Sequence, residues 1–368
     1  MTHHRYRVVV LAVCCSLLGS AFARAAIKTE VKTSTPLSGD AKATIALAIK
    51  DSTSKLAAAV TANDPTLELA ARKSFSDDAD TTGTIASKDY QTEYALAVKG
   101  ALGPVLQPQT DPVQKLNAAI VVANVAGRVA RTQSADVLVP LIQTMLKDKY
   151  WPVVYWGLKA SRYALASAVQ NSQGTGQKAI PLTADIIAAV KANEKSGQII
   201  DEAYQALVLE PIPKTDLGID ADIALVLPSL LDVIEWRTTL YAAGAPPVSP
   251  NAEAIPANVL PLYAFKTISD PANAALKKRV LKALGDLTTA QLTAIQAAAP
   301  APDADLIDGA IRLGNALTAF GAKLNDAGLQ TAGLEISKMG STPAAATVAK
   351  NLTLLQQALA NPGPSAAQ

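Results

Sequence analysis

The chain has 368 residues, of which 49% are hydrophobic, 17% charged and only 4% aromatic, with a formal net charge of +2. That composition supports a large aliphatic core and excludes disorder for most of the chain. The near-zero charge leaves no basic footprint for nucleic acid, and no internal stretch approaches the ~20 uninterrupted apolar residues that a membrane helix needs.

At the start, Arg5 and Arg7 precede an apolar run from Val8 to Leu18. Gly19, Ser20 and two small-residue sites follow, Ala21-Phe22-Ala23 and Ala23-Arg24-Ala25. This order is that of a secretory signal peptide over residues 1–25, so the protein is expected to be exported, periplasmic or secreted, with Arg24 or Ala26 first. Cleavage would remove Cys14, Cys15, His3 and His4, which are all of its cysteines and histidines, and would take the formal charge from +2 to 0, or to −1 if Arg24 also leaves. Disulfides, thiol or imidazole catalysis and Cys/His zinc sites are then excluded, and any metal must be held by oxygen ligands.

Residues 26–38 read as a flexible segment, 39–175 and 176–360 as two helical regions, and 361–368 as a disordered tail. Apolar residues fall at helical spacing, as in Val113, Leu116, Ile120 and Ala123, and again in Leu138, Leu141, Ile142 and Met145. No alternating run announces a strand. Helix starts are marked by an acidic cap followed by proline at Asp64-Pro65, Asp111-Pro112 and Asp270-Pro271, with Thr342-Pro343 as a variant. The sequence predicts an all-α protein.

Three segments share a Leu/Val-Pro opening: 138–161, 226–236 and 259–286. In two of them an aspartate, Asp148 or Asp270, follows at a turn. This pattern resembles the HEAT-type helical repeat, a unit of which would span 134–170. The resemblance implies an irregular α-solenoid or helical array of helix pairs, with first helices bent at Pro140 and Pro261. Within the first segment, "KYWPVVYW" gathers Tyr150, Trp151, Tyr155 and Trp156. They are expected to fill a helix junction, with Val153, Trp156, Ala160 and Ala164 on one buried face and Lys147, Lys149, Lys159 and Arg162 as its solvated rim, rather than to form a binding platform.

Ser52 to Lys55 reads Ser-x-x-Lys and so resembles the nucleophile motif of penicillin-interacting enzymes, in which lysine draws the serine proton. The alternative reading is a solvated helix face. Asp220 with Asp222, and Asp303 with Asp305 and Asp308, are carboxylate clusters that could serve a hydrolase, yet each lies at a helix start where acidic residues complement the helix dipole.

The most specific motif is "DADTTGTIASKD", residues 78–89. Asp78, Asp80, Thr82, Thr84 and Asp89 occupy the first, third, fifth, seventh and twelfth places of a twelve-residue loop, with Gly83 at the sixth and Ile85 at the eighth. The stretch resembles a single EF-hand loop, which implies oxygen-only calcium binding with Thr84 contributing its carbonyl. The competing expectation is an acidic, helix-capping turn. Together these features predict an exported, non-enzymatic helical-repeat binding or scaffold protein with a protein or peptide partner, no nucleic acid, no membrane span, and calcium as its candidate cofactor. The alternative is an exported hydrolase using Ser52 and Lys55 or a carboxylate pair.

Overall fold

The computed structural model describes residues 27–80, 86–172, 176–209, 225–245, 247–261, 274–299 and 301–361. They hold fifteen α-helices and no strand, as the periodicity predicts. No described helix is long and apolar enough to cross a membrane. The chain divides into two compact units, residues 1–137 and 138–368.

The first unit contains α1 (Thr29–Thr33), α2 (Gly39–Ala62), α3 (Pro65–Asp78), α4 (Lys88–Leu102) and α5 (Pro112–Val129). Helices α2, α3, α5 and α4 pack in a ring, each against the next, closing a four-helix bundle. The expected acidic caps are present. Asp64 accepts from the Thr66 and Leu67 amides and Asp111 from those of Val113 and Gln114, with proline filling the first position of each helix. On α5 the helix is where the spacing puts it but a different face is buried. Ala118, Val122, Val125 and Val129 are inside, whereas Val113 is 49% exposed, because α5 meets three neighbours rather than one. Residues 27–38 also differ from the expected loose segment. Ile27 and Lys32 are buried, α1 packs on α4, and the Ser87 amide donates to the Lys32 carbonyl at 2.9 Å.

The second unit begins with α6 (Val139–Leu146), α7 (Trp151–Asn171), α8 (Ala179–Ala192), α9 (Gly197–Leu207) and α10 (Leu227–Ala242). Among them α7 touches α6, α8 and α9, and α10 touches α8 and α9. Pro140 and Pro228 do not bend their helices. Both stand in the first turn, where a missing N–H costs nothing, so the shared Leu/Val-Pro opening is a helix start. Asp148 does mark the turn, accepting from the Tyr150 amide at 2.8 Å. Asp270, Pro271 and the residues of the helix expected at Pro261 from 262 on lie outside the described residues, as do residues 362–368.

After the four-residue helix α11 (Pro250–Glu253) come α12 (Ala274–Ala297), α13 (Ala304–Leu324), α14 (Ala327–Ser337) and α15 (Ala345–Ala360). Here the packing departs from an open array, because α15 returns to α12 and closes a second four-helix bundle. Thr342-Pro343 does not cap α15, which starts after Ala344 with no side-chain cap.

The tightest seam lies between α13 and α14, where glycines let the backbones touch. A Cβ at Gly333 would stand 2.5 Å from the Thr318 nitrogen and 2.7 Å from the Gly314 carbonyl, and one at Gly314 would stand 2.8 Å from the Ser337 nitrogen. Those neighbours are backbone and cannot swing aside. Gly333→Ala should therefore destabilise by about 1–3 kcal/mol. Gly100→Ala, at an exposed helical site with nothing within 4 Å, should stabilise by about 0.5–1 kcal/mol. Denaturant melts of the two variants check the contrast, and equal effects would refute close backbone packing at the seam.

Candidate binding site

The acidic turn 78–89 connects α3 to α4, and its described residues are matched by groups of the same chain. An α-helix ends with four carbonyls that have no partner within it. At the end of α3 these are met by side chains: Tyr94 donates to the Phe75 carbonyl at 2.7 Å, Tyr90 to that of Asp78 at 2.6 Å and Gln91 to that of Ala79 at 3.2 Å. The buried Lys32 ammonium donates to the carbonyls of Asp77 at 3.2 Å and Asp80 at 2.6 Å, placing a cation at the negative end of the helix dipole.

The carboxylates diverge. Asp78 is buried in the bundle, Asp80 pairs with Arg131 at 3.1 Å and Arg128 at 3.9 Å, and Asp89 accepts from the Thr35 hydroxyl at 2.6 Å. Among the described residues no three acidic side chains gather around a point where a metal could sit. Asp78, Asp80 and Asp89, the acidic residues of the candidate calcium loop, thus have separate surroundings here; Thr82, Gly83, Thr84 and Ile85 lie outside the described residues. Lys32, Arg128 and Arg131 were not foreseen as partners. Nothing local to Lys32 signals a contact 45 residues away.

Ser52 is not on a solvated face. It stands with Ile45, Ile49, Leu56 and Ala59 on the buried stripe of α2, fully shielded, and receives a hydrogen bond from the Ser74 hydroxyl at 3.2 Å. Lys55 pairs with Asp51 at 3.0 Å. Asp303 caps α13 through the Asp305 amide, and Asp305 accepts from the Asn251 amide group at 2.8 Å, while Asp220 and Asp222 lie outside the described residues.

The aromatic cluster fills its junction only in part. Val153, Ala160 and Ala164 are buried, but Tyr150 and Trp151 are exposed in the first turn of α7. Tyr155 and Trp156 meet edge to face at 5.8 Å beneath the Lys159 ammonium. Lys159 and Arg162 are more than a rim. They approach Glu202 at 3.5 and 3.8 Å, and burial raises the pKa of that carboxyl against their attraction.

An open cleft of about 1020 Å³ lies in the second unit. One wall is the end of α10 with the strand of chain after it (Thr238, Thr239, Tyr241, Val248), another is a face of α12, and the start of α13 closes one end. Along α12, Asp286, Thr289, Ala290, Thr293, Ala294 and Ala297 recur at helical spacing and form the floor.

Behind the α10 wall lies a buried charged network. Arg237, 1% exposed, donates from Nε to Glu253 Oε1 at 3.0 Å, with Nη2 2.9 Å from the same oxygen as an ion pair, from Nη1 to the Glu194 carbonyl at 3.1 Å, and from Nη2 to the Tyr241 hydroxyl at 2.9 Å. Glu253 is fully shielded, and its Oε2 has no hydrogen-bond partner. Because burial disfavours the anion more than one-sided contact with Arg237 favours it, the Glu253 carboxyl is pushed up to about 7. Burial likewise pushes up the nearby Tyr204 phenol, whose hydroxyl is also unpartnered. Tyr241 links this network to the cleft wall.

No family model, curated protein or solved structure matches the chain.

Lys32→Met would leave two carbonyls of the α3 terminus without a donor, so we expect a loss of about 1–3 kcal/mol in denaturant melts. Arg131→Met, which removes one exposed partner of Asp80, should cost less than about 1 kcal/mol. Equal costs would contradict the role assigned to Lys32.

Proposed function

We propose that the chain is an exported, non-enzymatic helical binding protein that receives a segment of a protein or peptide partner in the cleft of its second unit. The cleft itself carries this reading. It is large enough for a ligand of several residues, open along its length, and walled by hydroxyl, carboxylate and small apolar groups on fixed helices. Clefts of this composition recognise by shape and hydrogen bonding. The carboxylates at its edge are engaged as a cap and a side-chain acceptor, and the serine of the Ser-x-x-Lys motif is packed inside a helix seam, which favours binding over hydrolysis. Export rests on the order of charged, apolar and small residues in 1–25, outside the described part of the chain.

In this reading the turn at 78–89 is a structural corner whose charge is balanced by Lys32, Arg128 and Arg131, and calcium is not required for the fold. The test combines labelling and mapping. A fluorophosphonate probe should leave the protein unmodified, and amide hydrogen exchange with concentrated exported-fraction peptides should show protection across 238–250 and 286–298. Ala294→Trp, which fills the cleft floor, should abolish that protection. Stoichiometric labelling lost in Ser52→Ala, or protection that survives Ala294→Trp, would overturn the proposal.

A further inference from the structure

The cleft is an array of hydrogen-bond acceptors. The Thr238 and Thr239 hydroxyls both donate to the Glu235 carbonyl, at 2.8 and 2.9 Å, and Thr293 donates to the Thr289 carbonyl at 2.8 Å. Their protons are spent on the helix backbone, so these oxygens offer lone pairs to anything lying beside them. Asp286, Asp303 and Asp305 add carboxylates, and the described lining contains no lysine or arginine. Such a wall repels an anion and suits a ligand rich in N–H groups.

The carboxylates are also separated. Asp286 lies eleven residues before Ala297, the last residue of α12, which at about 1.5 Å per residue is roughly 16 Å along the helix. Asp303 and Asp305 follow that end in the chain, at the start of α13, and line the same cleft. Between the two poles the floor is Ala290, Ala294 and Ala297, small enough for a backbone to lie close. Asp286 is already paired with Lys282, but that is an exposed pair within one helix, weakly held and readily exchanged for another cation.

We infer that the occupant of the cleft is an extended basic peptide segment, with cationic side chains about four residues apart on Asp286 and on the Asp303 and Asp305 pole, and with its backbone N–H groups facing the threonine oxygens. The inference rests on the cleft being the binding site. In an extended chain four residues span roughly 13 Å, and the reach of two lysine side chains covers the remainder.

The test uses the full mature chain and a seven-residue alanine peptide bearing lysine at its second and sixth positions, compared with the same peptide bearing norleucine or glutamate there, and with spermine. Calorimetry gives affinity and hydrogen exchange gives location. The lysine peptide should bind and protect 286–298, and Asp286→Asn with Asp305→Asn should weaken it at least tenfold. The norleucine and glutamate peptides should bind at least tenfold more weakly than the lysine peptide. Neither substituted aspartate is buried, so circular dichroism should confirm an intact fold. Equal binding of the norleucine peptide with cleft protection would overturn the cationic class while leaving the cleft as the site. Binding of spermine but not of the lysine peptide would overturn the peptide in favour of a small polyamine. Absence of protection by every probe would overturn the inference, and the cleft reading is then judged by the exported-fraction peptides, which carry no assumption about charge.

Discussion

The organisation of the second unit turns on one buried ion pair. Arg237 and Glu253 are essentially inaccessible to water, and burying two such charges is stabilising only if their geometry and remaining hydrogen bonds compensate for lost hydration. The arginine fork meets that condition on its own side by reaching three places at once, Glu253 on α11, the Glu194 carbonyl at the turn after α8, and Tyr241 one turn along α10, whereas the Glu253 carboxylate is compensated at one oxygen only. A guanidinium can do this because its donors are held in a rigid plane, which a lysine ammonium lacks. The chain between α10 and α11 is thereby fastened at its end, and Tyr241, Val248 and Pro250, which line the cleft, inherit their positions from it.

The cleft floor is held by a different force. Helix α12 packs in the closed bundle of α12 to α15, where glycines on α13 and α14 bring backbones into contact and aliphatic side chains such as Leu284, Leu313 and Leu317 fill the interior. One wall therefore depends on desolvated charge and the other on dispersion and close packing. In the first unit the corresponding constraint is Lys32, whose ammonium closes the end of α3 and orders residues that composition alone would leave loose.

What the sequence made legible follows the range of the interactions. Caps at Asp64 and Asp111 were readable because an N-cap contacts amides two and three residues on, and the all-α class followed from periodicity along single helices. The buried face of α5 is not given by spacing alone, because a helix with three neighbours buries more than one stripe. Ser52 is buried because it shares a helix face with Ile45, Ile49 and Leu56, a spacing that the Ser-x-x-Lys motif obscures. Pairings across the fold left no local mark: Lys32 with Asp80, and Arg237 with Glu253 sixteen residues on through a loop. The cleft was equally hidden, since Asp286, Thr238 and Asp305 share no motif and meet only when α10, α12 and α13 pack. Gly314 and Gly321, seven residues or about two turns apart on α13, are the local mark of the tight seam that Gly333 completes from α14.

The most direct test of the buried pair is the difference in unfolding free energy between the wild type and Glu253→Gln as a function of pH. A carboxyl raised from 4.5 to about 7 by burial binds a proton more tightly in the folded than in the unfolded state. Its contribution is fully present below pH 4.5 and declines as pH rises through about 7, a total of about 3 kcal/mol. The account predicts that the wild type loses stability relative to the variant across that interval and that the difference is level above it. A difference that is flat throughout, or that rises with pH, would show that Glu253 is not held in a desolvated, half-compensated site and would contradict the network on which the cleft wall rests.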